Sequence, residues 1–367
     1  MLSRIVSRRY VVLASLAAFI VGLASCQSPS SNTPQANQGT PPQTSSAAGT
    51  TITLNGAGGT FPAPLYQKWF VEYNKEHPDV QVSYQGVGSG AGIEQFTKGT
   101  VDFGASDVAM KDEQIAQVPK EKGVLLLPMT AGSIVLSYNL PSVKSSLKLS
   151  RDVYSDIFLG KITQWNDPKI KALNPGVDLP NDPITVVHRS DGSGTTGAFT
   201  RHLSAISPAW KSGPGQGTTV SWPVGNGGKG NDGVTAVIQQ TEGAIGYVEY
   251  GYASQNNLPM TTLENKAGSY VAPTLEDGAT ALSQVKLPDN LRAFIADPEG
   301  KTSYPIVTYT WILAYKNMGD ANKAKALKDV LKWGLTDGQK FSKDLGYIPL
   351  PESVANRVEQ AVEQISS

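Results

Sequence analysis

Short β-rich runs along the chain alternate with glycine turns and with segments of helical period. A strand is predicted over 51–54. The turn Asn55-Gly56-Ala57-Gly58-Gly59-Thr60-Phe61 follows, and Pro62-Ala63-Pro64 then opens a helix whose apolar face carries Leu65, Trp69, Phe70 and Tyr73. The alternation of Val80-Gln81-Val82-Ser83-Tyr84 predicts a second strand, which runs through Gly86-Val87-Gly88-Ser89-Gly90-Ala91-Gly92 into helical Ile93-Glu94-Gln95-Phe96. Val101-Asp102-Phe103-Gly104-Ala105-Ser106-Asp107 reads as a short strand ending on a carboxylate. Buried strands are predicted over 124–128 and, separately, over 133–138. Helices are expected over 150–159 and 198–204, with another capped by Asn231-Asp232 and carrying Val234, Val237 and Ile238. A strand over 244–247 and a β-rich stretch over 304–315 precede three amphipathic helices near 320–334, 336–345 and 351–364. Repeated strand, turn and helix units predict an α/β fold with parallel strands, whose ligands bind at the strands' carboxyl ends.

The densest chemistry lies in Thr185-Val186-Val187-His188-Arg189-Ser190-Asp191-Gly192-Ser193-Gly194-Thr195-Thr196-Gly197. A β-branched run turns through Ser, Asp and Gly and enters a helix, so backbone N–H groups and two hydroxyls, on Ser193 and Thr195, converge where the helix dipole is positive. Such a cradle suits an anion. Arg189 can grip two oxygens of a tetrahedral oxyanion with its planar fork, and Asp191 is close enough to hold the guanidinium. The turns at 56–61 and 86–92 also carry a hydroxyl at a helix start, Thr60 and Ser89.

Composition narrows the classes. A chain of 367 residues suggests two lobes, and 40% apolar with 17% charged residues is ordinary for a globular protein. Balanced charge, 31 basic against 31 acidic residues, offers no field for nucleic acid. Arg4, Arg8 and Arg9 precede an uncharged apolar run over 10–24, too short to span a bilayer comfortably, so residues 1–25 read as a signal peptide. It ends Leu23-Ala24-Ser25-Cys26, which resembles a bacterial lipobox and implies a lipidated Cys26. Ser7-Arg8-Arg9 partly resembles a twin-arginine signal, from which Val11 and Val12 depart. Removing three arginines leaves 28 basic residues (31 less 3) against 31 acidic, a net charge of −3. Residues 27–50 carry no charge and read as a disordered Pro/Ser/Thr-rich tether, reaching on the order of 25–30 Å as a flexible coil. With Cys26 the only cysteine, cysteine catalysis and thiolate metal sites are not expected, and three histidines, His77, His188 and His202, do not make a metal centre.

Two enzyme readings stand beside a binding protein. Gly86-Val87-Gly88-Ser89-Gly90-Ala91 fits the dinucleotide pattern G-x-G-x-x-A, with Asp107 ending the next strand, which would make an oxidoreductase; an extracytoplasmic location argues against it. A hydrolase would use Ser193 as nucleophile with His188 or His202 as base. Against that, Asp191 and Thr195 occupy the glycine positions of a G-x-S-x-G elbow, and His188 and His202 read as a packed and a surface histidine. Gly227-Gly228-Lys229-Gly230 is no phosphate-binding P-loop, because Gly230 stands where Ser or Thr should be and Pro223 where the first Gly should be.

Taken together, Gly56 to Pro64, Tyr84 to Gly90, Val101 to Asp107, Arg189 to Thr195, Gly227 to Gly233 and Gly243-Ala244-Ile245-Gly246-Tyr247-Val248-Glu249-Tyr250 resemble the phosphate-binding subunit of the bacterial high-affinity phosphate ABC transporter. The likeness spans about 52–350 in the family's order; Ser190 and Gly90-Ala91-Gly92 depart from it slightly, and the C-terminal helices match weakly. The resemblance implies a two-lobed periplasmic-binding-protein fold, type II-like, with ligand in the cleft between lobes. Lobe I would comprise 51–139 and 305–367, and lobe II 140–304. It implies phosphate contacts from Thr60, Phe61, Ser89 and Asp107 on one lobe and from Arg189, Ser193, Gly194 and Thr195 on the other, with Asp191 supporting the arginine. Further implications are no catalysis, no cofactor, no metal, a monomer, and delivery of inorganic phosphate to the membrane permease of an importer. The residues agree with that site. A desolvated oxyanion needs a donor at nearly every oxygen, and a carboxylate such as Asp107 is repulsive beside it unless the ligand brings a proton. Phosphate brings one and sulfate at neutral pH does not. Asp107 is alternatively a cap for a helix over 111–117.

Overall fold

Most element boundaries follow from local sequence. Strand β1 (Ile52–Gly58) leads to Pro62, whose fixed φ starts helix α1 (Ala63–Glu76), and β2 (Val80–Gly86) leads to α2 (Ser89–Lys98), which ends on Gly99 in the left-handed conformation at φ 72°. β3 (Phe103–Ser106) stops one residue before Asp107, and α3 (Asp112–Ile115) is a single turn. The long strand β4 (Leu125–Tyr138) follows, then β5 (Lys148–Leu149). Next come α4 (Arg151–Phe158), capped by the Ser150 side chain, and α5 (Pro168–Leu173), capped by Asp167. β6 (Thr185–Arg189) feeds α6 (Gly194–Ile206) and α7 (Pro208–Ser212). Beyond them lie β7 (Asn226–Gly228), α8 (Gly230–Gln240), β8 (Ala244–Glu249), α9 (Tyr250–Gln255), β9 (Thr262–Glu264), β10 (Tyr270–Val271) and α10 (Leu275–Ser283). The chain closes with β11 (Val307–Ala314), α11 (Ala321–Leu335) and α12 (Glu352–Val362). This computed structural model describes residues 51–367; the leader, Cys26 and the tether lie outside the described residues. Among the described residues no helix is long and apolar enough to cross a membrane.

Eight strands form one sheet in the order β2-β1-β3-β11-β4-β8-β6-β7, with a small separate sheet β10-β9-β5. The predicted α/β class holds, but the sheet is mixed rather than parallel. β1 runs parallel to β2 and β3, and β6 parallel to β7 and β8, whereas β11 is antiparallel to β3 and β4, and β4 to β8. The two strands expected over 124–128 and 133–138 are one, with all 14 residues of β4 buried. Its first part pairs with β11 as far as Ser133, and Ile134–Tyr138 pairs with β8. Pro128 cannot donate to a ladder, yet it sits within β4 because the register shifts between Thr310 and Trp311 on the facing strand. A proline that suggests a strand end in sequence thus marks an irregularity inside a continuous strand.

Two further expectations change on packing. The amphipathic segment near 336–345 is two 3₁₀ turns, Asp337–Phe341 and Lys343–Leu345, rather than an α-helix. There Trp69 Nε1 donates to Gly338 O at 2.7 Å, and the Gln339 carboxamide bonds to Gly334 O, Met129 O and Leu350 N, fixing the segment through tertiary partners. His202 is buried instead of lying on the surface. Helix α6 is covered on more than one side, so Thr200, His202 and Leu203 are all enclosed. Carbonyl oxygen only accepts, so His202 Nδ1–H donates to Ala296 O at 2.8 Å, and Nε2 must accept from Tyr154 Oη at 2.8 Å.

That ring is held neutral: burial pushes the His202 pKa down to about 4, against the opposing pull of Asp297. The folded form therefore binds fewer protons than the unfolded chain between about pH 4 and 6.5, and the histidine's contribution is complete above that window and lost as pH falls through it. The loss amounts to about 3 kcal/mol. Thermal melts of wild type and His202→Gln between pH 7.5 and 4.5 should show the wild type losing more stability on acidification; parallel losses would contradict a buried neutral His202.

Candidate functional site

Three strand-to-helix connections meet at one buried place. After β1, Thr60 and Phe61 sit at the entrance to α1; after β2, Ser89 is the first residue of α2; after β6, Ser193 caps α6, which begins with Gly194 and Thr195. Asp107 lies just past the end of β3. All eight residues expected to bind ligand, Thr60, Phe61, Ser89, Asp107, Arg189, Ser193, Gly194 and Thr195, are buried, and the supporting Asp191 is partly so.

The turns come together closely enough to require glycine. Gly88 has φ 92°, and a Cβ there would collide with the Asp191 carboxylate on the facing turn. A Cβ on Gly194 would stand 2.7 Å from Asp107 Oδ2. Gly90 N–H donates to Gly192 O at 2.8 Å across the same seam. This packing takes up the backbone that a dinucleotide pyrophosphate would need, and the Gly86–Ala91 turn serves as one wall of the site.

The electrostatics are carried by few charges. Arg189 is gripped from behind by Asp191, Nε to Oδ1 at 2.8 Å and Nη2 to Oδ2 at 2.5 Å, while Nη1 reaches Thr195 Oγ1 at 3.4 Å. Three of the five guanidinium donors are so used, leaving two. Burial opposes ionisation of Asp191, but the bonds from Arg189 and the Gly230 N–H outweigh it and hold the carboxyl below its ordinary value. Asp107 is the opposite case. Burial raises it to about 6, even though Thr310 Oγ1 donates to Oδ1 at 3.0 Å, Ser89 Oγ donates to Oδ2 at 3.3 Å and Arg189 lies near. It accepts from side chains and caps nothing; the N-cap of α3 is Lys111. Asp107 is held by strand β11, which places Thr310 opposite it and bonds Thr308 Oγ1 to its carbonyl at 2.9 Å.

Backbone amides fix two of the site's hydroxyls. Ser193 Oγ accepts from Thr196 N at 3.0 Å, and Ser89 Oγ accepts from Asp107 N at 3.2 Å. In addition, the N–H groups of Phe61, Ser89, Gly194 and Thr195 have no acceptor among the described residues. Neither histidine can serve Ser193 as a base. Both nitrogens of His202 are bonded elsewhere, and His188, stacked on Trp222, bonds Arg189 O through Nδ1. Among the described residues no group of three or more His, Cys, Asp or Glu side chains comes together to hold a metal ion.

Several residues at the site escaped sequence reasoning. Asn231 was expected to cap a helix; instead the N-cap of α8 is Lys229, and the Asn231 side chain reaches Thr60 and Thr195. Tyr252 Oη donates to Thr60 O at 2.6 Å, Tyr347 Oη to Phe61 O at 2.6 Å, and Tyr247 Oη accepts from Arg189 N at 3.0 Å. Glu249 lies fully buried beside them, its carboxylate accepting from Gly251 and Tyr252 N–H. The run Gly243 to Tyr250 belongs to the sequence resemblance, so Tyr247 and Glu249 had a signal; Tyr252, Thr310 and Tyr347 had none.

Comparison with known proteins identifies the family. Residues 41–337 match the PBP superfamily domain. The chain is 44% identical over 310 residues to the phosphate-binding protein PstS of Pasteurella multocida, covering 84% of this chain and 89% of that one. It is 42% identical over 337 residues to the protein of the same name from Methanocaldococcus jannaschii, covering 86% and 87%. The fold is similar to the phosphate-binding protein of Stenotrophomonas maltophilia, with TM-score 0.66 and 19% identity over 85% of this chain and 93% of the other.

The raised Asp107 yields a stability test that needs no ligand. Because its folded pKa lies above the unfolded value, its favourable contribution is present below about pH 4 and is lost as pH rises through about 6, a cost on the order of 3 kcal/mol at neutral pH. Ligand-free Asp107→Asn should melt above wild type at pH 8, with the advantage gone near pH 4. A mutant that melts below wild type at both pH values would refute the raised carboxyl.

Proposed function

The chain belongs to the PstS family of phosphate-binding proteins, and on that premise we propose that it captures inorganic phosphate outside the cytoplasm and hands it to the permease subunits of an ABC importer. It is a binding protein and not an enzyme. The observation that carries the reading is the imbalance of the buried site: donors from Thr60, Phe61, Ser89, Arg189, Ser193, Gly194 and Thr195 surround a place whose one ligand-facing carboxylate is Asp107. Donors in excess match an oxyanion's oxygens. A single acceptor matches the proton that phosphate retains at neutral pH, and it repels sulfate, which has none.

In this reading lobe I comprises 51–139 with 305–367 and lobe II comprises 140–304, the change of partner along β4 lying where the lobes join. Ligand would enter with the lobes apart and be enclosed as they close, since groups from both sides of the seam face it. The protein acts as a monomer, and Cys26, lipidated after removal of residues 1–25, anchors it through the 27–50 tether. No nucleic acid, metal or cofactor takes part.

Calorimetric titration of residues 51–367 with phosphate and sulfate tests the reading directly, with phosphate binding and sulfate not. Asp107→Asn removes the repulsive charge and should let sulfate bind, with a smaller change for phosphate; an unchanged ratio of the two affinities would remove Asp107 from the selection. Arg189→Lys replaces a planar fork with a point donor and should weaken phosphate binding by about 1–3 kcal/mol. A titration indistinguishable from wild type would sink the arginine's role. For the anchor, Cys26→Ser should release intact protein from membranes, and protein that stays bound as before would end that part of the proposal.

A further inference from the structure

Asn231 is fully buried on the first turn of α8 and touches three parts of the site at once. Its Oδ1 meets the backbone N–H of Glu249 at 3.0 Å, and because a backbone amide can only donate, that atom has to be the carboxamide oxygen. The amide nitrogen therefore faces the other way. One of its hydrogens goes to Thr60 Oγ1 at 3.0 Å and the other to Thr195 Oγ1 at 3.3 Å.

The consequence lies in the hydroxyls. Thr60 Oγ1 accepts a second bond from Asn231 N–H at 3.1 Å, so both lone pairs are occupied by one residue. Its remaining tetrahedral direction carries its own hydrogen. Thr195 Oγ1 is in the same state, accepting from Asn231 Nδ2 and from Arg189 Nη1 at 3.4 Å. A free threonine hydroxyl can donate or accept; these two can only donate.

We propose that Asn231 is a positioning residue that fixes the hydrogen-bond direction of the site, holding Thr60 and Thr195 as donors to the bound oxyanion so that a protonated ligand oxygen finds its acceptor at Asp107. This rests on the phosphate-binding reading above. Asn231 also joins Thr60, which precedes α1, to the first turn of α8, so the donor set is completed only when the two sides of the seam are together.

A double-mutant cycle tests this: wild type, Asn231→Ala, Thr60→Val and the double variant, each titrated with inorganic phosphate and melted without it. Asn231→Ala should weaken phosphate binding by roughly 10- to 100-fold, the value of a hydrogen bond to a charged group. In the Thr60→Val background, where only the Thr195 hydroxyl remains to be oriented, the same change should cost clearly less, a few-fold, since residues acting through one another are not additive. A purely structural Asn231 would give equal losses in both backgrounds, and that result overturns the proposal. Where melting shows that Asn231→Ala does not fold, Asn231→Asp takes its place: it keeps the acceptor for Glu249 N–H but draws the threonine hydrogens to itself, and additivity would overturn the proposal equally. If wild type itself binds no phosphate, the functional reading and this inference fall together; if wild type binds and the cycle is additive, only this inference fails.

Discussion

A charge taken out of water must be met by oriented partners, and the architecture around Asp107 and Arg189 answers that demand. Arg189 has its carboxylate, Asp191, on one edge and keeps the rest of its donors for the site. Asp107 has no cation bonded to it, only hydroxyls from Thr310 and Ser89, and so is held near the point of protonation. The difference between the two acids is one of partners rather than of burial alone. It yields a place with many donors and one acceptor of adjustable protonation, which is the pattern of a partly protonated oxyanion.

The sheet serves this arrangement by delivering helix starts to a common point. Parallel strands on each side of the seam send β1, β2 and β6 into helices whose first N–H groups lack intrahelical acceptors. β4 and β11 cross the middle; one strand, changing partner from β11 to β8, binds the two sides into one sheet. The seam itself is held by few direct bonds, among them Gly90 to Gly192, Asn231 to Thr60 and Tyr252 to Thr60. At about 0.5–1.5 kcal/mol net each, such bonds hold the seam modestly.

Support reaches the site from far along the chain. Thr310 from β11 holds Asp107, Tyr347 holds the Phe61 carbonyl, and Glu249 sets the carboxamide of Asn231 through its backbone N–H. Thr310 and Tyr347 have no local motif. Each was placed by register or by a turn: β11 lies antiparallel to β3 with Trp311 opposite Ser106, so the neighbouring Thr310 arrives beside Asp107.

The eight residues expected at the site, Thr60 through Thr195, came as a set from the family resemblance, and local chemistry supported part of that set: glycine turns that expose N–H groups, hydroxyls at helix starts, and an arginine two residues from its carboxylate. The α/β class was legible for the same reason, since strand, turn and helix periods are written over short windows. What sequence alone could not decide depends on which segments meet. Whether Pro128 ends a strand turned on a register shift against Thr310 and Trp311, whether His202 faces water turned on what covers α6, and whether 336–345 coils as an α-helix turned on Trp69 and Gln339. Asn231 is the clearest case. Its position at the start of a helix suggests a cap by local rules, but the lower-energy partners for a buried carboxamide were two hydroxyls and a backbone amide brought to it by tertiary packing, and only the folded chain contains them.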